Sequence, residues 1–428
     1  MIPKKLLVFS IFFLFIALSI NAQKAEERFA TSADIFQDTS SKKISSNSCS
    51  KIASYIPDTL NRYLTPMRTV RINFHVIQDG KGENNFNEVE GRKFLHDMIE
   101  NANQRLANNA KMHLPKDNAT AVIPIPYRYV LTGDKNNPSD DGIYFHKNDT
   151  LFAMNKKSKK KDNVYDRRQY DTYGVQKQKV INIFLIEHYP DSIASTTYKA
   201  SSDGVGTGSW VKLVGSYNLW KHPTITAKGD TMYFGSWNVA GLMNHELGHC
   251  FGLSHTWNTD DGCDDTPKSP GCWNFGPPPC EICSNNVMDY NAFTNALTPC
   301  QIGKACMNFL RDKGARDYLV PDWCLYTKEK SITISEGSQT QWNGSVDVFG
   351  DLIIENNATL TISCIVSMPP GSRIILSPKA TLILNGCTIT SRCENGQWDG
   401  IVIKSTRRSQ PNIISKYKTK LEKAVHPI

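Results

Sequence analysis

Between Asn244 and Trp257 the chain reads NHELGHCFGLSHTW, which places His245, His249 and His255 at the spacing H-E-x-x-H-x-x-G-x-x-H. On a helix, residues four apart share one face. His245 and His249 can therefore bind one metal ion at roughly 2.0–2.1 Å while Glu246 projects beside it. Gly252 has no Cβ, so the chain can leave the helix sharply and bring His255 back as a third ligand. Three protein nitrogens leave the fourth position of a tetrahedral zinc open to water, the arrangement of a catalytic rather than a structural site. The implied chemistry is hydrolysis: zinc acidifies its water and polarises a carbonyl, and Glu246, beside the metal and not bonded to it, serves as general base. A helix carrying histidines by accident would have to match five specified positions within eleven residues.

A second signal, Asn286-Val287-Met288-Asp289-Tyr290, follows downstream. With HELGHCFGLSHTW, Asp265-Thr266-Pro267, this NVMDY string, Leu297-Thr298-Pro299-Cys300-Gln301 and Met307, the chain resembles the metzincin metallopeptidases and, within them, the pappalysin family. The resemblance spans most of residues 67–325. It implies an α+β catalytic domain: a twisted mixed sheet, long helices, a zinc helix and a Met-turn. It also implies that Met288 forms an apolar floor beneath the zinc histidines and that Tyr290 swings toward the metal to stabilise an oxyanion. Taken alone, Met288 would read as an ordinary core methionine.

The chain has 428 residues, too many for one typical domain, so two or three units are expected. Residues 1–22 combine Lys4 and Lys5, a largely apolar run from Leu6 to Ile20, and Ala22 before Gln23. The run is shorter than the roughly 20 residues of a spanning helix and reads as a cleaved signal peptide, predicting a secreted, extracellular protein without a stable membrane anchor. All 12 cysteines follow it, and export permits disulfides. Cys263, Cys272, Cys280, Cys283, Cys300, Cys306 and Cys324 crowd the stretch after the third histidine, where staples are expected. Cys250 reads as a buried free thiol. The net charge of +8 gathers at Lys156–Lys161 and after Lys404. Neither stretch carries base-reading or stacking groups, so nucleic acid is not an expected partner.

Residues 23–66 are polar and read as a pro-segment. By the same resemblance such a segment can silence zinc through a cysteine thiolate, and Cys49 is the candidate switch. Its context Ser48-Cys49-Ser50-Lys51 lacks the expected glycine, and a disulfide or a free thiol is the alternative. Residues 67–328 form the expected catalytic domain. Arg71 to Ile77 alternates as a strand, Phe94, Leu95, Met98, Ile99, Ala102 and Leu106 predict a helix over 90–108, and Ile181 to Ile186 predicts a central strand. The Gly-rich Ser201 to Gly215 suggests a loop feeding an edge strand. The resemblance makes this the strand that pairs with extended substrate; an ordinary hairpin is the alternative. The zinc helix is expected to start with Asn238 as N-cap. Asp260, Asp261, Asp264 and Asp265 make a candidate calcium loop, by composition and by the resemblance, or a solvated acidic turn. Thr298 as cap and Pro299 at the first helical position begin a further helix with Ile302, Ala305, Phe309 and Leu310 inward.

From Ser331 the texture changes. The string beginning at Gly350 is echoed from Gly371, aligning Ile354 with Leu376 and Ala358-Thr359-Leu360 with Ala380-Thr381-Leu382. This repeat predicts a short all-β, solenoid-like module over residues 329–404, similar to the parallel β-helix modules of secreted bacterial metalloproteases. Two coils bury their faces poorly, so a truncated module or one docked on the peptidase is expected. Residues 405–428 read as a basic tail. The functional expectation is a zinc metalloendopeptidase, monomeric, acting on protein or peptide substrates. The rival of another class is an extracellular adhesin or matrix-binding protein with a vestigial peptidase domain; against it, no ligand and no base is missing. An exopeptidase would need a group that captures a chain terminus, and the sequence displays none.

Overall fold

The computed structural model describes residues 26–38, 48–154, 163–195, 203–225, 231–256, 260–268, 283–291 and 293–427. The expected signal peptide and the lysine run lie outside them. Two short strands, β1 (Glu26–Phe29) and β2 (Ile35–Asp38), come first. The Arg71–Ile77 alternation then extends into β3 (Arg68–Gln78), followed by α1 (Glu88–Ala107), β4 (Tyr127–Leu131), β5 (Ile143–Lys147), β6 (Ala153–Met154), α2 (Arg168–Tyr173), β7 (Ile181–His188), α3 (Pro190–Ile193), β8 (Asp203–Thr207) and β9 (Trp210–Val214). After these come α4 (Ser216–Lys221), β10 (Thr224–Ile225), β11 (Thr231–Met232), α5 (Ser236–Cys250) and α6 (Pro299–Phe309).

The main sheet runs β4-β3-β7-β9-β8, with β5 also on β3 and β6 also on β7. Every pairing is parallel except that of β8 with β9. β7 is buried along its whole length, as a strand covered on both faces must be. Val70, Ile72, Phe74 and Val76 of β3 share one core with Leu95 and Met98 of α1, Met243 and Leu247 of α5, and Ile302 and Phe309 of α6. Ile77, Phe184, Ile186 and Trp210, alternate residues of the same strands, pack on the opposite face. The result is a mixed α/β unit. One expected boundary moves: α5 begins at Ser236, and Asn238 is its third residue, its Oδ1 accepting the Gly235 N–H at 3.1 Å.

Three parallel ladders follow, built from β12 (Ile332–Ile334), β13 (Gln339–Trp342), β14 (Val346–Asp347), β15 (Leu352–Ile354), β16 (Thr359–Ile362), β17 (Ile365–Ser367), β18 (Arg373–Leu376), β19 (Thr381–Asn385), β20 (Thr388–Thr390), β21 (Gly400–Ser405), β22 (Asn412–Lys416) and β23 (Lys420–Leu421). Every third strand joins the same ladder. The registers pair Ile354 with Leu376, Thr359 with Thr381 and Leu360 with Leu382, the equivalences the repeat implies. Residues 405–428 depart from the expected tail. Ile413 of β22 pairs with Leu382 and is buried, and Leu421 of β23 pairs with Ile389. The lysines had masked this rung because Lys418 and Lys420 face solvent between its inward residues.

The N-terminal stretch departs further from expectation. β1 pairs antiparallel with β21 and β2 pairs parallel with β22, so both cover the last rung. Cys49 is bonded to Cys364. The thiolate that a cysteine switch requires is therefore consumed in a structural disulfide, and the expectation for Cys49 is corrected. Tyr55 is buried; its hydroxyl donates to the Cys49 carbonyl at 2.8 Å and accepts the Ser345 N–H at 3.2 Å. Ile52 and Tyr55 pack in the core shared by β3, α1, α5 and α6, while Tyr63 and Leu64 pack against the ladder core. Residues 48–64 thus form a strap across both units. A second disulfide, Cys324–Cys393, also joins them. So does the buried carboxylate of Asp347, 2.7 Å from Arg68 and 3.0 Å from Arg316.

Candidate active site

α5 sets His245 and His249 one turn apart, and Gly252 ends the helix with φ +87°. The left-handed conformation favours glycine there, and a Cβ would lie 2.3 Å from Asn308 Nδ2. Beyond this turn His255 comes back over the helix. Its Nε2 stands 3.1 Å from that of His245 and 3.0 Å from that of His249, and the latter two are 3.2 Å apart. Tetrahedral ligands at 2.0–2.1 Å from zinc are separated by roughly 3.3 Å, so the three nitrogens fit one ion closely.

Hydrogen bonding to the other ring nitrogens decides what this triangle can hold. Nδ1–H of His245 donates to the Val287 carbonyl at 2.7 Å, and Nδ1–H of His249 donates to the Leu253 carbonyl at 2.9 Å. A carbonyl only accepts, so in the neutral rings both Nε2 atoms bear lone pairs, and no proton lies between them. Converging lone pairs call for a cation, and carbonyl-oriented imidazoles are the usual outer support of zinc ligands. Burial, with His249 alongside, lowers the His245 pKa to about 3; burial lowers His255 to about 4 and also lowers His249. All three are thereby kept in the neutral, ligating form.

Glu246 is 4% exposed and burial raises its carboxyl to about 8, opposed by a hydrogen bond from the Gly206 N–H. Met288 is fully buried, and a Cβ at Gly248 would lie 2.5 Å from its sulfur. The methionine therefore packs directly under the helix turn that carries His245 and His249. Its loop is held by Asn286, whose Oδ1 accepts the Met288 N–H at 2.8 Å, and by Gln301, which donates to Asn286 Oδ1 at 3.1 Å. Tyr290 is 48% exposed, its ring 4.8 Å from that of His255 and 5.9 Å from that of His245. It lies on the open side of the triad.

The acidic loop does not gather. Asp260 accepts the Gly262 N–H, Asp261 the Cys263 N–H and the Gln301 side chain, and Asp265 the Cys300 N–H, while Asp264 is exposed. Only Asp261 is buried, and among the described residues no metal-binding cluster of these four forms. The calcium expectation for Asp260, Asp261, Asp264 and Asp265 is without support. The Cys263–Cys300 disulfide closes this loop, and Cys250 is a buried free thiol. The sequence missed Gly204 and Gly206 of β8, which touch Glu246; the one signal was their alternate spacing. His75 is buried and His146 half-buried, with ring nitrogens 3.0 Å apart, a pairing that strands distant in sequence bring together. None of the described helices is long and apolar enough to cross a membrane.

Residues 186–313 match the model of the metallopeptidase family M12B, Reprolysin-like. No curated protein matches the chain. Among solved structures, the chain is similar to mature mirolysin from Tannerella forsythia in complex with a cleaved peptide, at TM-score 0.40 and 16% identity, covering 59% of this chain and 96% of that one. It is also similar to mirolysin in complex with compound 9, at TM-score 0.41 and 18% identity, covering 60% and 97%. A third is a Tannerella forsythia promirolysin mutant, at TM-score 0.39 and 15% identity, covering 59% and 84%. The histidine triad, Glu246, Met288 and Tyr290 all lie within the segment that matches a metallopeptidase family.

Proposed function

We propose that this chain is a secreted zinc endopeptidase of the pappalysin kind, with a partial β-helix module docked on its catalytic unit. The observation that carries the proposal is the triangle of Nε2 atoms 3.0–3.2 Å apart, with a buried carboxylate one residue from the first histidine. His245, His249 and His255 would hold the zinc, which when bound supplies acidification of a water molecule and polarisation of the scissile carbonyl. Glu246 takes the proton from the attacking water and returns it to the leaving amine. The Tyr290 hydroxyl donates to the developing oxyanion. Among the described strands β8 pairs with β9 alone, which leaves an edge on which an extended peptide main chain can add as a further strand. Export through residues 1–22 accords with the disulfides.

The test is cleavage of quenched peptides with both termini blocked, with and without a chelator. Cleavage lost with the chelator and restored by zinc is expected. Glu246→Ala should retain its zinc while turnover falls by at least roughly 10²–10⁴-fold. Substantial turnover by a zinc-loaded Glu246→Ala protein would overturn the role of Glu246, and cleavage confined to peptides with a free terminus would overturn endopeptidase action.

A further inference from the structure

We infer that Gly204 and Gly206 are positioning residues for Glu246, an inference that rests on the peptidase reading above. β8 reads Asp-Gly-Val-Gly-Thr and pairs with β9 so that Gly204 faces Leu213 and Gly206 faces Val211. Alternate residues of a strand share a face. Val205 points into the core on the far side of the sheet, and the two glycines turn toward α5. A Cβ at Gly204 would lie 2.4 Å from Glu246 Oε1 and 2.7 Å from its Cδ. A Cβ at Gly206 would lie 1.9 Å from the Glu246 backbone oxygen. The strand backbone is thus laid on the helix at the one residue that handles protons. The missing side chain at Gly206 lets the strand backbone approach Glu246, and the missing side chain at Gly204 leaves the space the carboxylate fills.

The two positions differ in what a methyl group would strike. At Gly206 it meets backbone, so strand and helix must separate and folding suffers. At Gly204 it meets the end of a side chain, which can swing away while the fold survives. The carboxylate would then be turned from its place beside the triad, and misplacement by about 1 Å is enough to cost roughly 10²-fold in rate.

Gly204→Ala is therefore the informative variant. One zinc per chain and an unchanged Tm are expected, with kcat down about 100-fold and KM within about threefold of wild type. A readout apart from turnover is the affinity of the zinc protein for a small hydroxamate, which can hydrogen-bond to the neighbouring carboxylate. Gly204→Ala should weaken it in the wild-type background and leave it unchanged in a Glu246→Gln background, since both changes remove the same contact. Equal weakening in both backgrounds, a kcat within threefold of wild type, or loss of zinc in Gly204→Ala would overturn the inference. A wild-type protein that holds no zinc and cuts no peptide would instead sink the peptidase reading itself, so the two failures are distinguishable.

Discussion

Glu187 shows what burial does to a carboxyl that serves structure rather than chemistry. It sits at the end of β7, nearly fully buried, and accepts the Tyr217 N–H at the start of α4 at 2.8 Å. Burial raises its pKa from 4.5 to about 8, with the backbone donors of Tyr217, Asn218 and His188 opposing. The folded state therefore holds a proton that the unfolded chain releases above pH 4.5. The stability this contributes is complete below that pH and is lost as pH rises through about 8. Glu187→Gln keeps the acceptor without the ionisation. Its Tm should match wild type near the unfolded pKa and exceed it increasingly toward pH 8, which a series of thermal melts would check. At the triad, His255→Ala removes one of three nitrogens and should abolish stoichiometric zinc retention after dialysis; metal analysis showing full retention would contradict the ligand set.

At the scale of elements, periodicity and capping chemistry did most of the work. α6 starts where Thr298 and Pro299 imply, with the Thr298 hydroxyl accepting the Gln301 N–H and the Gln301 side chain accepting the Thr298 N–H. Thr298→Ala should cost about 1 kcal/mol in denaturant unfolding. α1 was legible because Phe94, Leu95, Met98 and Ala102 recur at helical intervals, and all four are buried. β7 was legible because a strand covered on both faces has no polar alternation to confuse it. Asn238 misled because an asparagine at the third helical position also ties down the helix start, but its Oδ1 accepts the N–H of Gly235 behind it, where a cap asparagine accepts an N–H ahead of it. The ladder strands of residues 412–421 were missed because a ladder rung needs only a few inward residues, here Ile413 and Leu421, and the lysines between them dominate any composition window.

At the scale of the whole molecule, a sheet-and-helix unit and a ladder unit are clamped together. Asp347 is fully buried between Arg68 and Arg316, so Asp347→Ala would leave two guanidinium groups without their partner and should destabilise the chain by about 3–5 kcal/mol. The strap makes a separate prediction. If a specific protease site is introduced between Leu64 and Arg68 and cut, the N-terminal fragment should stay attached on a non-reducing gel through Cys49–Cys364 and separate under reducing conditions. Separation without reductant would show that the bridge does not form. The sequence by itself determined the histidine triad, the glutamate beside it and the main elements, because each is written in local spacing: i, i+4 on a helix, a glycine that permits the reversal, and periods of two or near four. Only the tertiary structure decided the fate of Cys49, the dispersal of the four aspartates, the carbonyls that orient the histidines, and the glycines against Glu246. Those depend on which distant backbone lies alongside, and a backbone carbonyl or an N–H has the same chemistry at every position in the chain.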